Sequence, residues 1–118
     1  MRIGVRARRL TVPPRLAQDV DQRLRLTVGR FARRVSAVAV RLFDVNGPRG
    51  GLDKVCEVTV SLSRAGTVRY RAVASSVAAA ASRALAGTEE VIVRRLALRR
   101  DRRRQDGRRR RELARETA

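Results

Sequence analysis

Val38, Val40 and Leu42 alternate with Ala37, Ala39, Arg41 and Phe43, and after a polar stretch Cys56, Val58, Val60 and Leu62 alternate with Glu57, Thr59 and Ser61. A period of two marks strands buried on one face only. The stretch between them, Asp44-Val45-Asn46-Gly47 through Gly51-Leu52-Asp53-Lys54, is rich in turn formers, and Asn46-Gly47-Pro48 is the signal that stops the first of the two strands. A tight turn at Arg64-Ala65-Gly66 then returns the chain into Val68, Tyr70 and Ala72, with Arg69 and Arg71 opposite, which predicts a hairpin. Three antiparallel strands with a single apolar face need a second layer to cover that face.

The flanking segments supply it. Residues 2 to 9 alternate as a first strand, with Ile3, Val5 and Ala7 against Gly4, Arg6 and Arg8. The Arg-rich start, with no acid before Asp19, has the composition of a transit peptide, but this alternation is that of structure. Pro13-Pro14 ends extended chain and can open a helix at its first turn. Leu16, Val20, Leu24, Val28 and Phe31 make one apolar stripe, which predicts a helix running to about Arg34 with Arg30, Arg33 and Arg34 at its C-terminal end. Ser75-Ser76 is a good capping pair for a second helix over about 77 to 100, carrying Val77, Ala81, Ala84, Leu85, Val91, Ile92 and Leu96 on one face, with Gly87-Thr88 as its weak point. Residues 101 to 118 alternate Arg blocks with acids and hold one large apolar residue, Leu113. They read as a mobile arm, with a frayed helical extension as the alternative.

The expected fold class is therefore α+β, in the order β-α-β-β-β-α, with a four-stranded mixed sheet and two parallel helices packed on one face. The domain is residues 1–100 and the arm 101–118. The two strands joined by the first helix should be parallel with a right-handed crossover, and the last three strands an antiparallel meander. Each helix then follows a strand of the same direction, so both run the same way and their C-terminal ends meet. Arg30, Arg33 and Arg34 from the first helix converge there with Arg94, Arg95, Arg99 and Arg100 from the second. Arg64 in the hairpin turn and Arg102, Arg103 and Arg104 at the start of the arm join them.

Charge gives that end its chemistry. The chain has 29 basic residues against 11 acids in 118, a net +18, and all but Lys54 of the basic residues are arginines. Eight Arg and four acids fall in the last eighteen residues, which leaves a net +14 on residues 1–100. A body this lopsided repels itself unless a polyanion is its partner, and Arg offers paired donors that fit two phosphate oxygens at once. The eleven arginines just named are the expected RNA-binding residues, with Arg49 and Lys54 as secondary contacts. Asp44, Asn46 and Asp53 read as turn formers engaged in local backbone hydrogen bonds.

Other function classes are poorly served. There is no histidine, so neither a zinc cluster nor a His-based general base can be assembled, and the lone Cys56 reads as a small buried hydrophobe. With only Asp44, Asp53, Glu57 and Cys56 as candidate reactive groups, no enzyme, no cofactor, no metal and no small-molecule substrate are expected. No apolar run approaches the roughly 20 residues of a membrane span, so a cytoplasmic protein without a membrane partner is expected. Sequence-specific readout on the open sheet face would need aromatics, and that face offers Arg6, Arg8, Arg41, Arg69 and Arg71 with only Phe43. Residues 14 to 100 do reproduce the helix, three strands and helix of a double-stranded-RNA-binding domain, behind an extra strand, so recognition by RNA shape is the natural expectation.

The strand and helix order, the Asp44-Val45-Asn46-Gly47 loop and the Asp53-Lys54-Val55-Cys56-Glu57-Val58 strand resemble the ribosome hibernation-promoting factor family, also called ribosome-associated inhibitor A or ribosomal subunit interface protein. The resemblance covers residues 1 to about 100 and is to the short form, which lacks a C-terminal dimerisation domain. It implies a protein that binds the 30S small subunit and 16S rRNA where messenger and transfer RNA would sit, silences translation in stress or stationary phase, and is monomeric off the ribosome. The family usually places an acid and often an aromatic near the start of its second helix, where this chain has Ser75, Ser76, Val77 and alanines. The alternative is a stand-alone basic RNA- or nucleoid-binding protein that recognises phosphate backbone and shape.

Overall fold

A computed structural model describes residues 2–45 and 53–117. Its elements, in chain order, are β1 (Arg2–Arg8), α1 (Pro14–Gly29), β2 (Val35–Asp44), β3 (Lys54–Leu62), β4 (Gly66–Ala74) and α2 (Val77–Thr117). The strands lie in the spatial order β1-β2-β3-β4. β1 pairs parallel to β2, with Val5 beside Val40, and the other two pairings are antiparallel, with Val40 beside Val58 and Val58 beside Tyr70. This is the expected α+β fold.

Both helices cover one face of the sheet. Val20, Leu24 and Val28 of α1 meet Val38, Val40, Leu42, Cys56, Val58 and Val60 of the sheet, and Ala80, Ala81, Ala84, Leu85 and Ile92 of α2 complete the core. Each fully buried Val, Leu or Ile stabilises the fold by about 1.5–3 kcal/mol relative to exposure. The helices are parallel, because Arg23 donates to Ser82 Oγ at 2.8 Å and, two turns further along both, Arg30 pairs with Glu89 at the same sequence separation. The alanines at the start of α2 allow this approach, since Ala78, Ala79 and Ala81 lie across a narrow groove from Leu16 and Val20.

Local chemistry explains the helix ends. Pro14 occupies the first turn of α1, where its missing N–H costs nothing. Ser76 caps α2 by accepting from Ala79 N–H at 3.2 Å. α1 stops at Gly29, five residues short of the expected end, because glycine has poor helix propensity and a tight turn follows. In that turn Phe31 N–H donates to Val28 O at 2.9 Å and Arg34 N–H to Phe31 O at 2.8 Å. Arg30, Arg33 and Arg34 thus sit just beyond the helix rather than in its last turn.

α2 holds the helix expected over 77–100 and departs from expectation beyond it. It runs unbroken through Gly87 and Thr88, because Thr88 Oγ1 donates to Ala84 O at 2.7 Å and Gly87 is a packing requirement: a Cβ there would lie 2.1 Å from the Tyr70 ring. The segment expected as an arm, 101–117, continues α2 to a total of 41 residues. Arg, Gln, Glu, Ala and Leu are all strong helix formers, so the segment needs no apolar stripe to be helical. At 1.5 Å per residue α2 is about 60 Å long, which accounts for the 71 Å length of a molecule only 25 × 17 Å across. From Arg99 to Glu116 its side chains are exposed apart from the half-buried Gly107.

Candidate nucleic-acid interface

The turn after α1, the β3–β4 hairpin and the middle of α2 meet at one end of the sheet. Ser63 N–H donates to Arg34 O at 2.7 Å, which ties the hairpin turn to the turn after α1. Arg64 holds the hairpin in a left-handed conformation, φ 61°, beside Gly66 at φ 77°. That geometry costs a non-glycine residue about 1–3 kcal/mol and projects the Arg64 side chain outward at the tip. From α2, Arg95 donates to Ala65 O at 3.0 Å and clamps the same turn. Arg64, Arg95, Arg99 and Arg102 line one recess with Ala65, Gly66 and Leu98.

Among the described residues, none of Arg33, Arg34, Arg64, Arg94, Arg95, Arg99, Arg100, Arg102, Arg103 and Arg104 forms an ion pair. Four guanidiniums around one recess without a counter-ion repel one another, and a phosphate placed between them would relieve that repulsion. The carbonyl-bearing end of α1 points the same way and adds partial negative charge there, which partly screens them. Arg30 is different: its guanidinium pairs with Glu89 and lies 5.8 Å from the centre of the Phe31 ring, while its side chain stays exposed. Glu89 is 59 residues away in sequence, and only the parallel helix packing brings it there.

Beyond the recess, the projecting part of α2 keeps its acids to one side of the helix, where Arg102, Arg108 and Arg109 also lie. At 100° per residue, Arg99, Arg103 and Arg110 form one row and Arg100, Arg104, Arg111 and Arg115 the next. Together they span about 160° of the circumference with no acid between them. Asp106 marks one edge of that arc, and Asp101, Glu112 and Glu116 lie on the opposite side.

The secondary candidates fare differently. Arg49, with the Asn46-Gly47-Pro48 turn, lies outside the described residues. Lys54 Nζ lies 2.8 Å from Asp44 Oδ2 and 3.2 Å from Asp53 Oδ2, with its side chain 23% exposed. Its hydrogen bond to Asp44 holds its pKa above the usual lysine value. Asp44 and the fully buried Asp53 thus place their carboxylates beside Lys54. Cys56 has no exposed surface, and burial pushes its thiol up to about 12, as befits a packed hydrophobe. Among the described residues no three acidic or cysteine side chains come together in a way that could hold a metal ion. Among the described residues no helix is long and apolar enough to cross a membrane.

Sequence reasoning named Glu57 but missed its arginine partners. It stands on the sheet face away from the helices yet is only 5% exposed, because Arg71 Nη2 at 2.9 Å, Arg41 at 3.5 Å and Arg69 at 4.0 Å cover it. The strand register, in which Glu57 lies between Arg41 and Arg71, was the signal that could have found them.

No protein-family model matches the sequence. No curated protein matches it either. Solved structures do match. A ribosomal subunit interface protein from Coxiella burnetii superposes with a TM-score of 0.68 at 15% identity, over 82% of this chain and 99% of that one. The N-terminal domain of Protein Y from Thermus thermophilus superposes with a TM-score of 0.58 at 20% identity, over 75% of this chain and 89% of that one. The resemblance to the ribosome hibernation-promoting factor family thus holds at the level of the fold.

Proposed function

We propose that the chain is a ribosome-associated translation inhibitor that binds the small subunit through ribosomal RNA, where messenger and transfer RNA would sit. The observation that carries this reading is the recess of Arg64, Arg95, Arg99 and Arg102, free of carboxylates and set at one end of a fold shared with a ribosomal subunit interface protein. Phosphate neutralisation is the chemistry such a recess can perform, and Arg95 serves a double role because it also fixes the turn that presents Arg64. The projecting part of α2 extends the same positive surface along about 25 Å, the rise of the sixteen residues from Arg100 to Arg115. Positioning by backbone and shape, without base readout, follows from the near absence of aromatics.

Sucrose-gradient sedimentation of cell lysates tests the reading. The protein should travel with 30S and 70S particles, and purified protein should inhibit translation in vitro. Its confinement to the ribosome-free fraction, with translation unaffected at saturating protein, would favour the second reading, a stand-alone RNA or nucleoid binder. The acid-free arc of α2 favours that second reading, because it would serve any nucleic-acid groove.

A further inference from the structure

The sheet face turned away from the helices carries a charge distribution that the fold does not need. Arg6 of β1 stands directly beside Arg41 of β2, and like charges in register on neighbouring strands destabilise a sheet. Glu57 resolves only part of this, since it pairs with Arg41, Arg69 and Arg71, while Arg2 and Arg6 form no ion pair among the described residues. What Glu57 does is hold the inner guanidiniums in place: Arg71 gives it two hydrogen bonds, at 2.9 and 3.3 Å. Arg41 and Arg71 are further fixed over Phe43, at 5.5 and 5.4 Å from its ring centre. The outer arginines are left free and the inner ones rigid, the arrangement of a preorganised anion site.

The floor between them is low. Arg2, Arg6 and Arg41 rim a trough floored by Gly4, Ala37, Ala39, Thr59 and Ser61, all small side chains. A Cβ added at Gly4 would meet nothing within 4 Å, so the space above it is open. Flat groups can enter such a trough beside guanidinium planes, with the hydroxyls of Thr59 and Ser61 below them. An unpaired RNA strand has both components, phosphates for the rim and splayed bases for the trough, whereas a duplex keeps its bases stacked inside. The single aromatic, Phe43, is already covered by Arg41 and Arg71, so binding should tolerate any sequence.

We infer that this face is a second RNA surface that takes an unpaired strand, phosphates on Arg2 and Arg6 and bases over Gly4, Ala39 and Thr59. It rests on the reading that the chain works on RNA, and it adds that the molecule holds two RNA segments at once, one at the recess and one across the sheet.

The test uses the full chain and a fluorescently labelled hexauridylate, followed by anisotropy. Wild type should bind it with marked salt dependence, and Gly4→Ile should weaken binding severalfold, because its side chain would fill the open space that bases would take beside the guanidinium planes. That variant keeps every charge and suits a strand better than glycine, so its thermal midpoint should not fall. Arg2→Ser with Arg6→Ser should lower the salt slope by about 1.4 for two lost single-strand contacts. Arg64→Ser with Arg99→Ser should reduce co-sedimentation with ribosomes, and Gly4→Ile should still weaken hexauridylate binding in that background. Unchanged affinity in Gly4→Ile, or equal competition by a polyglutamate peptide, would overturn the sheet-face site. Loss of ribosome co-sedimentation by wild type with hexauridylate binding retained would overturn the ribosome reading alone.

Discussion

Alanine for glycine inside a helix usually gains about 1 kcal/mol, and at Gly87 the sign should reverse. The added methyl would fall on the Tyr70 ring, so Gly87→Ala should destabilise by about 1–3 kcal/mol through overpacking. In a Tyr70→Ala background the same change should become neutral or stabilising, and a double-mutant cycle of chemical denaturation measures the difference. From sequence Gly87 looked like a helix defect, since propensity is local and Tyr70 reaches it only through the packing of α2 on β4. Arg30 was opaque for the same reason, as nothing near it in sequence announces Glu89. Cys56 was legible, because its neighbours alternate as core residues. Its folded pKa of about 12 lies above the ordinary 9.0, so its contribution to stability is complete below pH 9 and is lost as pH rises toward 12. Thermal melts should show that loss, Cys56→Ala should flatten it, and native protein at neutral pH should resist thiol reagents until unfolded.

The elements were legible wherever packing imposes a period. The stripe on α1 and the alternation in β2 and β3 mark faces that must be buried, and all three are buried as the pattern requires. The projecting part of α2 buries nothing, so it has no apolar period to find, and its helicity rests on intrinsic propensity and on Arg115 beside the last carbonyls. Ending the chain at Arg100 should remove the circular-dichroism signal of residues 101–117 while the body still unfolds cooperatively. It should also weaken RNA binding and flatten its salt dependence, because fewer counter-ions are released. Gly107→Pro separates a rigid helix from a merely charged tail. It preserves every charge yet breaks the α2 hydrogen bonds at a cost of about 3 kcal/mol, so RNA affinity should fall only if the two Arg rows must stay aligned.

At the scale of the molecule, strand directions alone determined that two helices following strands of the same sense would be parallel, and the constant offset between Arg23–Ser82 and Arg30–Glu89 agrees. That topology brings the turn after α1, the hairpin and α2 to one end. The membership of the recess was less legible: Arg64, Arg95, Arg99 and Arg102 share it, Arg30 pairs with Glu89, and Arg94, Arg100, Arg103 and Arg104 stand exposed along α2. Which helix faces look toward the hairpin depends on the rotation of α2, which its burial of Ile92 and close fit at Gly87 determine.

The central claim is that RNA is held at this end and not by diffuse charge. The measurement that tests it most directly is the affinity for 30S particles as a function of salt, with Arg64 and Arg99 replaced by serine in one variant and Arg15 and Arg83, also without ion pairs among the described residues, in another of equal charge. Losing two phosphate contacts should lower the slope of log affinity against log salt by about 1.4–1.8 in the first variant and leave the second close to wild type. Equal losses in the two variants would contradict the account, and the chain would then be a polycation without a site.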